Sequence, residues 1–208
     1  MVSKAAWIGT ADDGWLEADL YPAGTHWVCL FHDEHHDKTT WNGLAPWLHG
    51  QGYSVLAPCF RGYGVSSVGG AGGQCYDLDV AATLEYARYR ATQVSALGIG
   101  MAGSALLEGL CRVREPIAHV ILLSPSREPA TGYDCLAGKA ADALLWYGDA
   151  EPYAQAAAAT AARLPFLRSI DIQHTSLQAQ EYLDDPDYGP RLRQRILDWL
   201  VFPREAAS

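Results

Sequence analysis

Residues 98–106 read GIGMAGSAL, a stretch that fits two kinds of chemistry. As it stands, Gly98, Gly100 and Gly103 match G-x-G-x-x-G, the turn that lets a dinucleotide pyrophosphate approach a helix N-terminus. With serine at position 100, the same residues would form the strand-to-helix turn that presents a nucleophilic hydroxyl. Glycine has no atom that can attack a carbonyl, so an acyl-enzyme through residue 100 is excluded by covalent structure. A second cluster, HDEHHDK at 32–38, gathers three histidines and three acids beside Lys38. Its spacing fits no defined zinc motif, so it reads as a solvated loop, and no metal and no cofactor are expected.

The elements around these residues alternate. The sequence predicts strands at 5–9 and 14–21, a turn at Pro22-Ala23-Gly24, a buried strand at 26–32, a helix at 42–52 ended by Gly52, and a strand at 53–58. The segment 64–74, GVSSVGGAGGQ, is too rich in glycine for a regular element and is expected to be a mobile surface loop. Further on, helices are predicted at 76–90, 102–113, 153–164 and 190–200, and strands at 94–99, 119–124, 142–148 and 168–172. The alternation from residue 26 onward predicts a mostly parallel sheet of about eight strands with helices on both faces.

Composition bounds the answer. At 208 residues with 49% hydrophobic and 19% charged, the chain is expected to form one domain spanning 1–208. Fifteen basic against 24 acidic residues give a net charge of −9, which repels polyanions, so a nucleic-acid partner is not expected. Cys29, Cys59, Cys75, Cys111 and Cys135 are odd in number and lack C-x-x-C spacing, and read as reduced thiols of a cytoplasmic protein. No long apolar run or leader-like N-terminus is present, so no membrane association is expected.

Several of these stretches together resemble the α/β-hydrolases, over about residues 14–201. LFHDE at 30–34 stands where that family has its His-Gly oxyanion loop, and GYSVLAPCFRGYGVSS at 52–67 resembles its "GY-V-AP-D-RG-G-S" signature, with Cys59 in place of the usual Asp. GIGMAGSAL is similar to its G-x-S-x-G-G turn, with Gly100 at the nucleophile position and small residues, Gly98 and Ala102, two before and two after. WYGDAEP at 146–152 resembles the acid loop, with Glu151 at the acid position, and IDIQHTS at 170–176 places His174 at the general base. The resemblance implies a three-layer α/β-hydrolase fold, with only 125–141 between the sixth and seventh strands and hence no large cap. It also implies an ancestral activity on carboxylic esters or thioesters, with a small-molecule or carrier-bound acyl ligand.

The same resemblance implies an oxyanion hole made by the backbone N–H of Met101 with that of Asp33 or Glu34, whose carboxylates disfavour a developing negative charge unless they point outward. His32 and Trp41 are expected at the substrate pocket. Ser104, four residues past the turn, and Cys59 read as packing residues rather than nucleophiles. Without a nucleophile at 100, the expected identity is a pseudo-hydrolase or a nucleophile-null variant of a hydrolase. The alternative is a non-hydrolytic enzyme of lyase, isomerase or cyclase type, or a ligand-binding protein, using His174 backed by Glu151 as a general base. The dinucleotide reading through Gly98–Gly103 has weaker context: two or three βα units precede the motif, and Ser126 and Arg127 stand where an acid is required.

Overall fold

The computed structural model describes residues 3–201. Eight strands form one sheet: β1 (Lys4–Gly9), β2 (Trp15–Tyr21), β3 (His26–Phe31), β4 (Ser54–Pro58), β5 (Gln93–Ile99), β6 (Ile117–Leu123), β7 (Ala140–Gly148) and β8 (Leu167–Gln173). Their spatial order is β1-β2-β4-β3-β5-β6-β7-β8. β2 is antiparallel to both β1 and β4, and all other neighbours are parallel. The helices are α1 (Leu44–Gly50), α2 (Tyr76–Arg88), α3 (Met101–Leu110), α4 (Ala154–Arg163), the short α5 (Glu181–Asp184) and α6 (Tyr188–Leu200).

The sheet's interior strands are apolar on both faces because both faces are covered. Every residue of β6, IAHVILL, is buried. One face packs on α2, α3 and α4 through Val80, Leu84, Leu106, Leu110 and Ala157. The other packs on α1, α5 and α6 through Leu44, Leu48, Tyr182, Leu192 and Ile196. The expected mostly parallel sheet with helices on both faces is therefore the observed one. Between β6 and β7 lies a single 3-10 turn, Asp134–Leu136, and no cap.

Strand order also fixes where a site can form. β3 lies between β4 and β5, and the connections after β3 and β5 run to helices on opposite faces, α1 and α3, so the loops that follow these two neighbouring strands meet at their carboxyl ends. The register pairs Phe31 with Gly98, which sets the residues just beyond, 33 and 100, side by side.

Two expectations need correction. The loop 64–74 is not a free loop: the Arg61 guanidinium, in a residue only 2% exposed, donates to the carbonyls of Val68 and Gly72, and the Asp12 carboxylate accepts from the Ala71 N–H. Arg61 also pairs with Asp12 and with the fully buried Asp79. Nor are all five cysteines reduced, because Cys111 and Cys135 form a disulfide, leaving Cys29, Cys59 and Cys75 free. The pair stands 24 residues apart with no motif to announce it. Only the packing of the 125–139 segment on the end of α3 brings the two Cα atoms to 5.3 Å.

Candidate functional site

Gly100 joins β5 to α3 with φ 54° and ψ −121°. This left-handed conformation favours glycine and strains any residue with a Cβ. The turn is held on both sides: Gly100 N–H donates to the Leu123 carbonyl at 2.9 Å, and its own carbonyl accepts from Gly103 and Ser126 N–H, both at 3.1 Å. Gly98 is required for a separate reason, since a Cβ there would lie 2.7 Å from the Ala102 carbonyl oxygen.

The space where a side chain at 100 would project is filled from the neighbouring loop. A Cβ on Gly100 would stand 2.2 Å from Cγ and Oδ1 of Asp33 and 2.3 Å from its Oδ2. Asp33 Oδ1 accepts two backbone hydrogen bonds, from Met101 N–H at 2.7 Å and from Glu34 N–H at 2.8 Å. These donors are the N–H that follows the turn residue, at the start of α3, and one from the loop after β3. They converge on one oxygen as two donors of an oxyanion hole would. Of the three residues expected at that hole, Met101 and Glu34 supply N–H groups and Asp33 supplies the occupant. Its carboxylate points inward, not outward.

Asp33 is costly to hold there. Burial raises its pKa, and the two N–H donors oppose this without cancelling it. A further phosphate or acyl oxyanion on the Met101 N–H would have to displace this carboxylate or lie against it. The same geometry therefore weakens the dinucleotide reading of Gly98–Gly103.

His174 and Glu151 are not brought together. His174 Nδ1 lies 2.7 Å from Asp149 Oδ2, and its side chain is 92% exposed, making no other hydrogen bond among the described residues. The register explains the partner: Gly148 pairs with Gln173, so the next residues on the two strands, 149 and 174, emerge together. Glu151 instead turns into the protein. It is 5% exposed, accepts from Ser124 Oγ at 2.7 Å, and has its pKa raised by burial. Ser124 in turn accepts from Ala179 N–H at 3.0 Å. Glu151 thus ties the end of β6 to the segment that follows His174, a positioning role. Among the described residues, His174 is hydrogen-bonded to Asp149 and to neither Glu151 nor the Gly100 turn. The acid that reasoning from sequence passed over, Asp149, is the first residue beyond β7, and that position was its available signal.

His32 is not on a pocket wall. It is fully buried, its Nε2 accepts from Phe60 N–H at 3.1 Å, and Nδ1 therefore carries the proton it donates to the Asp33 carbonyl at 2.9 Å. Burial lowers its pKa to about 4, so the ring stays neutral and fixes the backbone of the Asp33 loop. Trp41 is 1% exposed and belongs to the core beneath α1 rather than to a ligand surface. Ser104 is buried and donates to the Arg127 carbonyl, and burial pushes the Cys59 thiol up to about 11. Neither is poised as a nucleophile. Among the described residues, no group of three His, Cys, Asp or Glu side chains is disposed to hold a metal ion.

No protein-family model matches the chain. No curated protein matches it either. Solved structures do. The chain is similar to the esterase Pf2001 of Pyrococcus furiosus at 16% identity, covering 95% of this chain and 89% of that one with a TM-score of 0.74. It is similar to the esterase EaEST of Exiguobacterium antarcticum at 12% identity, covering 95% and 99% with a TM-score of 0.74. A thermophilic esterase of Thermogutta terrifontis, solved with malate bound, matches at 17% identity over 95% and 98% with a TM-score of 0.72. At these identities the likeness is one of architecture: the chain has the α/β-hydrolase fold.

Proposed function

We propose that this chain is a pseudo-hydrolase: an α/β-hydrolase-fold protein, descended from enzymes that cleave esters or thioesters, that performs no acyl-serine chemistry. The observation that carries this reading is the Asp33 carboxylate, seated on the Met101 and Glu34 N–H groups in the space beside Gly100. Three requirements of that chemistry fail together. No nucleophile stands at the turn, the oxyanion donors already serve an anion, and the imidazole is out in solvent. A small-molecule or carrier-bound acyl ligand at this edge contacts the two donors only by displacing Asp33.

A second reading rests on His174 and Asp149, whose 2.7 Å contact holds an imidazole with Nε2 outward. That pair supports general-base chemistry on a substrate proton. Residence in the cytoplasm loses one of its supports, since the Cys111–Cys135 bridge belongs to oxidising surroundings. No described helix is long and apolar enough to cross a membrane.

The test is a screen of short-chain esters and acyl thioesters, with a fluorophosphonate probe, against the native chain and the variants Gly100→Ser and His174→Ala. The native chain and Gly100→Ser are expected to show no labelling and no turnover above the His174→Ala background. Turnover by the native chain that His174→Ala abolishes would support the second reading, covalent labelling of the native chain by the probe would contradict the first, and labelling at position 100 of Gly100→Ser would show that Asp33 does not block the turn.

A further inference from the structure

The segment that follows His174 is held to the sheet at one point. Residues 174–180 join β8 to α5 without regular structure, and their own bonds are local: Leu177 N–H donates to Thr175 Oγ1, and Gln178 N–H to the Glu181 carboxylate. From Ser176 to Gln180, the one hydrogen bond that reaches the sheet among the described residues is Ala179 N–H to Ser124 Oγ, at 3.0 Å. Both of its ends lie in the left-handed region, Ser124 at φ 47° and Ala179 at φ 44°, which strains a residue with a Cβ. The same stretch presses on the end of β7, since a Cβ on Gly148 would stand 2.5 Å from the Thr175 carbonyl oxygen and 3.0 Å from that of Leu177. It is a strap, closed over β7 and fastened once.

The fastening ends on a buried acid. Ser124 Oγ–H donates to Glu151 Oε2 at 2.7 Å, while Glu151 Oε1, the Tyr182 hydroxyl and Gln178 Oε1 are buried without a hydrogen-bond partner among the described residues. The titratable groups that face Glu151 are Tyr147 of β7, Tyr153 ahead of α4, and Glu181 and Tyr182 of α5. Asp149, on the same loop, is turned to His174. None of those facing groups is a cation, so an ionised Glu151 has no counter-charge beside it. Burial raises its pKa, and the Ser124 hydroxyl and Gly148 N–H oppose this without cancelling it.

We propose that residues 175–180 form a pH-operated latch: the strap stays fastened through Ser124 while Glu151 is protonated and opens as Glu151 ionises, freeing the segment that carries His174. An open strap lets water reach the carboxyl, so the closed form binds the proton more tightly than the open one. Closure is therefore strongest below the ordinary glutamate value of about 4.3, and weakens until pH has passed the higher, closed-state value. Glu151 acts here as a positioning residue. The device stands under either reading of the site, because it concerns where His174 is held and not what the ring does.

Amide hydrogen exchange by NMR, corrected for intrinsic rates, tests this on the full chain. Protection at Ala179 is expected to fall as pH rises, by roughly tenfold for each pH unit between the open and closed values, and then to level off. Ile121, within the buried β6, is expected to keep its protection, which separates local opening from unfolding. Glu151→Gln, which cannot ionise, should hold Ala179 at one protection throughout. His174→Ala should leave the native profile, since that ring meets Asp149 rather than Glu151. Should Glu151→Gln not fold, the Glu151 carboxyl carbon of the native chain must titrate where the Ala179 profile levels off. A flat native profile, a fall that persists in Glu151→Gln, one that is lost in His174→Ala, or a carboxyl titration elsewhere would each overturn the proposal.

Discussion

Replacing Gly100 with Ala is expected to destabilise the protein by roughly 3–5 kcal/mol, and by about 2 kcal/mol less when Asp33 is Ala as well. Two separate costs make up the single-variant figure. The backbone at 100 has φ 54°, where a side chain costs about 1–3 kcal/mol. The added methyl also lands 2.2 Å from the Asp33 carboxylate and must evict it, breaking two backbone hydrogen bonds worth about 1 kcal/mol each. In the Asp33→Ala background the second cost is already spent, so the two substitutions must be non-additive. Urea unfolding of the native chain, both single variants and the double variant measures the coupling. Additivity within about 0.5 kcal/mol would mean that the carboxylate does not occupy that space. By the same clash, serine alone at position 100 is not expected to restore a working turn, since its side chain and the Asp33 carboxylate need one volume.

Arg61→Leu carries the other large expectation, a loss of about 3–5 kcal/mol, because it strands a buried charge. Asp79 is fully buried, and its carboxylate takes both the Arg61 side chain, at 2.9 Å to Nε, and the Arg61 backbone N–H at 2.8 Å. Asp12 receives the other end of the guanidinium, which with Thr10 and Ala71 holds its pKa well below the usual carboxylate range. Burial keeps that of Asp79 raised despite its partner. Removing Arg61 leaves both carboxylates, the buried Asp79 and the partly exposed Asp12, with no counter-ion among the described residues, and frees the carbonyls of Val68 and Gly72 together. Arg61→Lys keeps the charge but not the forked geometry that reaches both acids, so it should recover only part of the loss. Denaturant midpoints check this; a loss under 1 kcal/mol for Arg61→Leu would show that the network contributes little.

Much of the architecture was legible in the sequence because it rests on periodicity. The stretches HWVCLF, SVLAP and IAHVILL are continuous apolar runs bounded by polar or turn residues, and each is a buried strand at nearly the expected bounds. The helix expected at 42–52 is instead a 3-10 turn, Lys38–Asn42, followed by α1, because Asp37 caps the turn by accepting from Thr39 N–H and starts it earlier. α5 escaped notice because four residues carry no period.

The site was less legible, and for a physical reason. The turn at 98–103 is local, so its residues announce it. What fills it is not local: Asp33 reaches Gly100 only because β3 and β5 are neighbours in register. The same holds for His174, whose acid is chosen by the pairing of β7 with β8 rather than by a position in a motif. Glu151 has the right chemistry but lies past the point where the chain turns inward to Ser124. The Arg61 anchor of the glycine-rich loop likewise depends on Asp12, 49 residues away.

The most direct test of an occupied oxyanion site is the pH dependence of the Met101 and Glu34 amide protons by NMR. Burial raises the Asp33 pKa, so the folded state binds this proton more tightly than the unfolded chain, and the stabilisation it brings at low pH is lost as pH rises through the folded value. Both amides are expected to shift together at one midpoint, above the ordinary aspartate value of about 3.9, and the shared step should vanish in Asp33→Asn. Amides that titrate separately, or a step that persists in Asp33→Asn, would contradict the account.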